Sequence, residues 1–106
     1  MAVERNEIVE WGEQYVKRLR DTMSIESVWL FGSLIRGDAT EESDLDVAVV
    51  SDDYDKQFSD ASKRANRILF DLIPPCDVEI HGIGRKTFNS GGPLIEEILK
   101  YGVQIS

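Results

Sequence analysis

Gly32-Ser33-Leu34-Ile35-Arg36-Gly37-Asp38-Ala39-Thr40-Glu41-Glu42-Ser43-Asp44-Leu45-Asp46-Val47 is the stretch on which the reading of this chain turns. An apolar run, Ser27-Val28-Trp29-Leu30-Phe31, leads into it and predicts a buried strand that stops at Gly32. Asp44-Leu45-Asp46-Val47-Ala48-Val49-Val50 leads out of it, rich in β-branched residues, and predicts a second strand. The segment from Gly32 to Asp38 predicts a turn that opens at most a short helix. A glycine directly after a strand lets the backbone approach a ligand, and the free N–H groups of a helix start favour phosphate. The Ser33 hydroxyl adds a donor, and Arg36 is placed to contact a phosphate or to brace an acid. Side chains alternate along a strand, so Asp44 and Asp46 share a face with Cα atoms ~6.5–7 Å apart, while Leu45, Val47 and Val49 face the core. Two carboxylates on one face repel each other and resist desolvation. A shared divalent cation relieves both, and hard oxygen ligands suit Mg²⁺ or Mn²⁺.

Working outward, Val3, Ile8, Trp11, Tyr15, Val16 and Leu19 recur at helical spacing and predict an amphipathic helix over residues 3–20. Phe58, Ala61, Ala65, Ile68, Leu69 and Leu72 form a second helical stripe, which Pro74-Pro75 ends. Asp77-Val78-Glu79-Ile80-His81-Gly82-Ile83 alternates and predicts a third strand. It carries Asp77 and Glu79 two residues apart, so either could complete a three-carboxylate cluster with Asp44 and Asp46. His81 reads as a half-buried polar residue and Cys76 as a small buried hydrophobe. Pro93 opens a last helix carrying Leu94, Ile95, Ile98 and Leu99, with Gly102 as its C-cap. Helix, strand, strand, helix, strand, helix is the order of a small α/β fold, a sheet with helices mainly on one face. The length of 106 residues predicts one domain over 1–106.

Composition narrows the function classes. The formal net charge is −8, and nine acids with one lysine between Asp38 and Asp60 account for all of it. Such a balance disfavours non-specific binding to nucleic acid or to an anionic membrane. One cysteine and one histidine exclude an internal disulfide and a zinc site of the usual Cys/His kind. A reducing compartment, the cytoplasm, is the expected location. No apolar run approaches the ~20 residues of a membrane span, and the charged start, Met1-Ala2-Val3-Glu4-Arg5, lacks a signal-peptide core.

The Gly-Ser turn, the interval of about ten residues and the Asp-x-Asp opening a strand together resemble the signature of the DNA polymerase β-like nucleotidyltransferase superfamily. The interior Arg36-Gly37 and Ser43-Asp44 are similar to its minimal nucleotidyltransferases, the MNT group of MntA-like antitoxin type. The tail from Asp77 to Val103 looks like that family's third acidic strand and closing helix. The resemblance implies that Gly32 and Ser33 hold the triphosphate of a nucleotide, ATP above all, and that Asp44 and Asp46 ligate two Mg²⁺ ions, with Mn²⁺ as an alternative. It implies a third acid on the Asp77–Ile83 strand, where Asp77 has the more usual residue type and Glu79 the more usual spacing. The implied reaction is attack of an acceptor hydroxyl on the α-phosphorus of a nucleoside triphosphate, with pyrophosphate leaving. The implied partner is a helical HEPN-type toxin, whose tyrosine hydroxyl can receive AMP. Homo-oligomerisation stays open. Two other readings stand beside this one: a binding module that neutralises such a partner by occlusion, and a transferase acting on a small-molecule hydroxyl.

Overall fold

Leu45, Val47 and Val49 are fully buried, and the long helices gather on the side of the sheet to which they point. The computed structural model describes residues 4–38 and 43–106, so Val3 of the first helical stripe and the acids Glu41 and Glu42 lie outside the described residues. Helix α1 (Arg5–Arg20) buries Ile8, Trp11, Tyr15, Val16 and Leu19, the stripe its periodicity predicts. Glu7 in its first turn and Lys17, Arg18 and Arg20 in its last complement the helix dipole. The strands are β1 (Ile25–Phe31), β2 (Leu45–Ser51), β3 (Val78–Ile83) and β4 (Val103–Gln104), in the order β3-β2-β1-β4. β1 runs antiparallel to β2 and to β4, whereas β2 and β3 are parallel. A parallel pair needs a crossover. Here α3 (Asp53–Lys56) and α4 (Phe58–Asp71) supply it. The short α2 (Ser33–Arg36) follows β1, and α5 (Arg85–Ser90) and α6 (Pro93–Tyr101) follow β3.

Alternation sorts the strand residues onto two faces. Val28 and Leu30 of β1 and Leu45, Val47 and Val49 of β2 pack against α1 and α4 in the larger core. Phe31, Ala48, Val50 and Ile83 point the other way, where Ile95 and Ile98 of α6 cover them in a second, smaller core. Two hydrogen bonds clip α1 to the α4 segment. Trp11 Nε1 donates to the Leu72 carbonyl at 3.0 Å, and the Tyr15 hydroxyl to the Ala65 carbonyl at 2.7 Å. The two rings stack with centroids 5.0 Å apart. Tyr54 of α3 packs its ring so closely over Gly82 that a Cβ there would overlap it, which locks the crossover onto β3.

The small α/β sheet expected from the sequence is the one observed, with differences of detail. β2 begins at Leu45, so Asp44 stands just before the strand. Phe58, expected in the buried stripe of α4, is 57% exposed and touches only the edge of the core through Tyr54. It is the first residue of the helix, whose buried face is made by Ala61, Ala65 and Ile68. The elements α3, α5 and β4 were not legible in advance. They are too short to show a period, and β4 exists only because Val103 and Gln104 pair with Leu30 and Trp29.

Candidate functional site

Strand register places Asp46 at the centre of the site. On one side it lies opposite Phe31, the last residue of β1, and on the other opposite Glu79 of β3. The turn that leaves β1 is therefore held against the acid near the start of β2. Gly32 in that turn has φ +91° and ψ −171°, a conformation essentially confined to glycine. A Cβ at Gly32 would also run into the Asp46 carboxylate at Oδ2. The glycine is thus required twice, for its backbone angles and for the space it leaves beside the acid. From Gly32 the chain turns at once into α2, where the Ile35 and Arg36 N–H groups donate to the Gly32 carbonyl and those of Ser33 and Leu34 stand ahead of these first bonds of the turn.

The other oxygen of Asp46 faces His81. The imidazole Nε2 donates to Asp46 Oδ1 at 2.9 Å and lies 3.9 Å from Glu79 Oε2. The Phe31 ring packs on the imidazole with centroids 5.1 Å apart, and the residue opposite His81 on β2 is Ala48, whose methyl leaves the ring room. Asp46, Glu79 and His81 each present one donor atom, all within 4.8 Å of one another, a set that fits a single cation. Sequence reasoning took His81 only as a half-buried polar residue. The signal that could have promoted it was its spacing: it is two residues from Glu79 on one strand and therefore on the same face.

The remaining expected residues are spread around this centre. Asp44 and Asp77 are both exposed, at the margin where β2 and β3 begin. The Leu45 N–H donates to the Asp77 carbonyl at 2.8 Å, so Asp77 enters the sheet through its backbone. Burial, with the Asp77 and Asp44 charges beside it, pushes the Cys76 thiol above its usual range. That thiol is half-buried and packs at the edge of the larger core. Ser33 is half-buried at the start of α2. Arg36 braces acids: it pairs with Asp38 and with Glu97 of α6, each at 3.5 Å. The second pair ties the end of α2 to α6.

Residues 13–105 match the Polymerase beta nucleotidyltransferase family. This chain belongs to that family. Its sequence is 44% identical over 48 residues to a Methanocaldococcus jannaschii protein provisionally named a protein adenylyltransferase. That match spans 45% of this chain and about half, 48%, of the relative. A nucleotidyltransferase of provisional assignment from Sulfolobus solfataricus has a similar fold, with a TM-score of 0.63 at 17% identity over 98% of this chain and 89% of its own. A toxin–antitoxin structure with AMP-PNP gives a TM-score of 0.60 at 24% identity, over 89% of this chain and 72% of the matched one. A mutant MntA–HpeT toxin–antitoxin structure gives 0.58 at 24%, over 88% and 69%. At these identities the structures share the fold. In this nucleotidyltransferase fold the Gly-Ser turn and the acid of β2 come from segments more than ten residues apart, and the antiparallel pairing of β1 with β2 makes them neighbours. Among the described residues no helix is long and apolar enough to cross a membrane.

Proposed function

We propose that this chain is a divalent-cation-dependent nucleotidyltransferase that moves a nucleoside monophosphate, AMP from ATP, onto a hydroxyl of a partner protein. In this reading it is the antitoxin of a pair whose other member is a HEPN-type helical toxin. The 106 residues act as one nucleotidyltransferase domain, and the acceptor hydroxyl comes from the other chain. The observation that carries the reading is the contact of the glycine turn with Asp46, flanked by Glu79 and His81. Phosphate recognition and metal ligation then meet at one carboxylate.

Gly32 and Ser33 would cradle the triphosphate on the N–H groups of the α2 turn. Asp44, Asp46 and Glu79 would hold the cations, Mg²⁺ or Mn²⁺, that nucleotidyl transfer of this family employs. Glu79 is favoured over Asp77 as the third acid because it stands opposite Asp46 in the ladder. A bound divalent cation would lower the pKa of the acceptor hydroxyl and offset charge on the departing pyrophosphate. The acceptor oxygen bonds to the α-phosphorus, the bond to the pyrophosphate oxygen breaks, and a carboxylate of the site takes the hydroxyl proton. Arg36, held by Asp38 and Glu97, positions α2 and need not touch the nucleotide. Exposed apolar side chains at the end of α4 and just beyond it, Phe70 (84%) and Ile73 (82%), support a partner protein under this reading.

The test is label transfer from α-labelled ATP to the product of the adjacent reading frame in the presence of Mg²⁺ or Mn²⁺. Transfer that disappears in Asp46→Asn and Glu79→Gln, with the fold retained, is the expected result. Absence of transfer from every nucleoside triphosphate overturns the enzymatic reading. Neutralisation of the partner that persists in those two variants would instead favour occlusion.

A further inference from the structure

We infer that His81 is a cation ligand, and that its nitrogen makes the Asp46–Glu79–His81 position selective for a transition ion, Mn²⁺ over Mg²⁺. The inference rests on the nucleotidyltransferase reading for the presence of a cation, and goes beyond it in the donor set and the ion chosen. Three facts carry it. The His81 Nε2 to Asp46 Oδ1 separation, 2.9 Å, equals one edge of a coordination octahedron, ~3 Å for bonds of ~2.1 Å. The 3.9 Å to Glu79 Oε2 is compatible with another pair of ligands in one shell. The Phe31 ring packs on the imidazole and holds that side of it.

Chemistry then decides the ion. Carboxylate oxygens serve Mg²⁺ and Mn²⁺ alike, whereas an imidazole nitrogen suits transition ions and adds little for Mg²⁺. Without a cation, Nε2–H donates to the Asp46 carboxylate. Ligation asks that the ring carry its proton on Nδ1 instead and that the Asp46 carboxylate swing Oδ1 aside, so that a cation rather than the oxygen meets the Nε2 lone pair. Asp46 can serve both neighbours at once, since Oδ1 faces His81 while Oδ2 faces Gly32. One carboxylate thereby joins the nitrogen-bearing position to the side where the glycine turn stands.

A feature of the composition makes the test unambiguous: His81 is the only histidine in the sequence. The full chain, free of any histidine tag, is loaded with Mn²⁺ and studied by pulsed EPR. The expected result is an imidazole nitrogen coupling on the ion that changes when the protein is labelled with ¹⁵N-histidine. In His81→Gln the coupling disappears and the preference for Mn²⁺ over Mg²⁺ in competition falls at least about tenfold, the lower bound for losing even an outer partner of a metal ligand. Glutamine keeps a donor for Asp46, so a residue that merely orients the acid would be rescued by it. Mn²⁺ bound without nitrogen coupling, or unchanged ion preference in folded His81→Gln, overturns the assignment. Failure of label transfer with the coupling intact would sink the transferase reading and leave the ligand assignment standing. Transfer without the coupling would do the reverse.

Discussion

Replacing Gly32 with alanine tests the joint between turn and acid most directly. The residue sits at φ +91° and ψ −171°, where a side chain costs ~1–3 kcal/mol in backbone strain. Alanine recovers about 0.4–1 kcal/mol through the unfolded state, which leaves a net loss of about 1.3 kcal/mol. For a chain of this size that corresponds to a fall in Tm of about 5–10 °C. The added Cβ also overlaps Asp46 Oδ2, so the carboxylate must rotate and give up its hydrogen bond to His81. Affinity for divalent cations should therefore drop by about 10–100-fold, the scale seen when a metal ligand loses its orientation. Gly37→Ala is the control. Gly37 has nearly the same φ, +92°, but with ψ 8°, and a Cβ there meets nothing within 4 Å. It should cost about 1 kcal/mol in the left-handed region and leave cation binding intact. Urea unfolding and calorimetric titration of Mn²⁺ measure both quantities. Equal cation affinity in the two variants, or native cation affinity in Gly32→Ala, would refute the proposed coupling of turn and acid.

Other expectations follow from the same geometry. Millimolar Mg²⁺ or Mn²⁺ should raise the Tm of the native chain by mass action, and Asp46→Ala or Glu79→Ala should abolish the rise while Asp77→Ala leaves most of it. Equal loss in all three would place Asp77 in the cation site as well. Tyr54 has a buried hydroxyl with no hydrogen-bond partner among the described residues, and burial pushes its pKa up to about 12 from 10.0. Stability is therefore independent of this group below pH 10 and declines as the unfolded chain ionises first, between about pH 10 and 12. Tyr54→Phe should flatten that alkaline decline and be neutral or stabilising at pH 7, since it removes an unsatisfied polar group. A loss of several kcal/mol in urea unfolding would reveal a partner for the hydroxyl. Tyr15→Phe, by contrast, removes the bond to the Ala65 carbonyl and should cost about 0.5–1.5 kcal/mol in the same measurement.

The residue types and their intervals determined much of this protein. The stripe in α1, the β-branched run of β2 and the Pro-Pro stop beyond α4 each follow from local periodicity, which depends on nothing distant. The same is true of the Gly-Ser turn and of the acids, whose spacing marked Gly32, Asp44 and Asp46 before any contact was known. Local pattern could not choose between Asp77 and Glu79, because residues two apart on a strand share a face. It also ranked His81 low, since a single histidine carries no pattern of its own. What only tertiary structure supplies is strand register: the parallel pairing of β3 with β2 sets Glu79 opposite Asp46, one pleat before His81, and leaves Asp77 to pair through its backbone, which is the ground on which Glu79 is proposed as the third acid. The close fit of Gly32 against Asp46 likewise depends on the antiparallel register of β1 and β2, a long-range relation that the interval between the two residues does not encode.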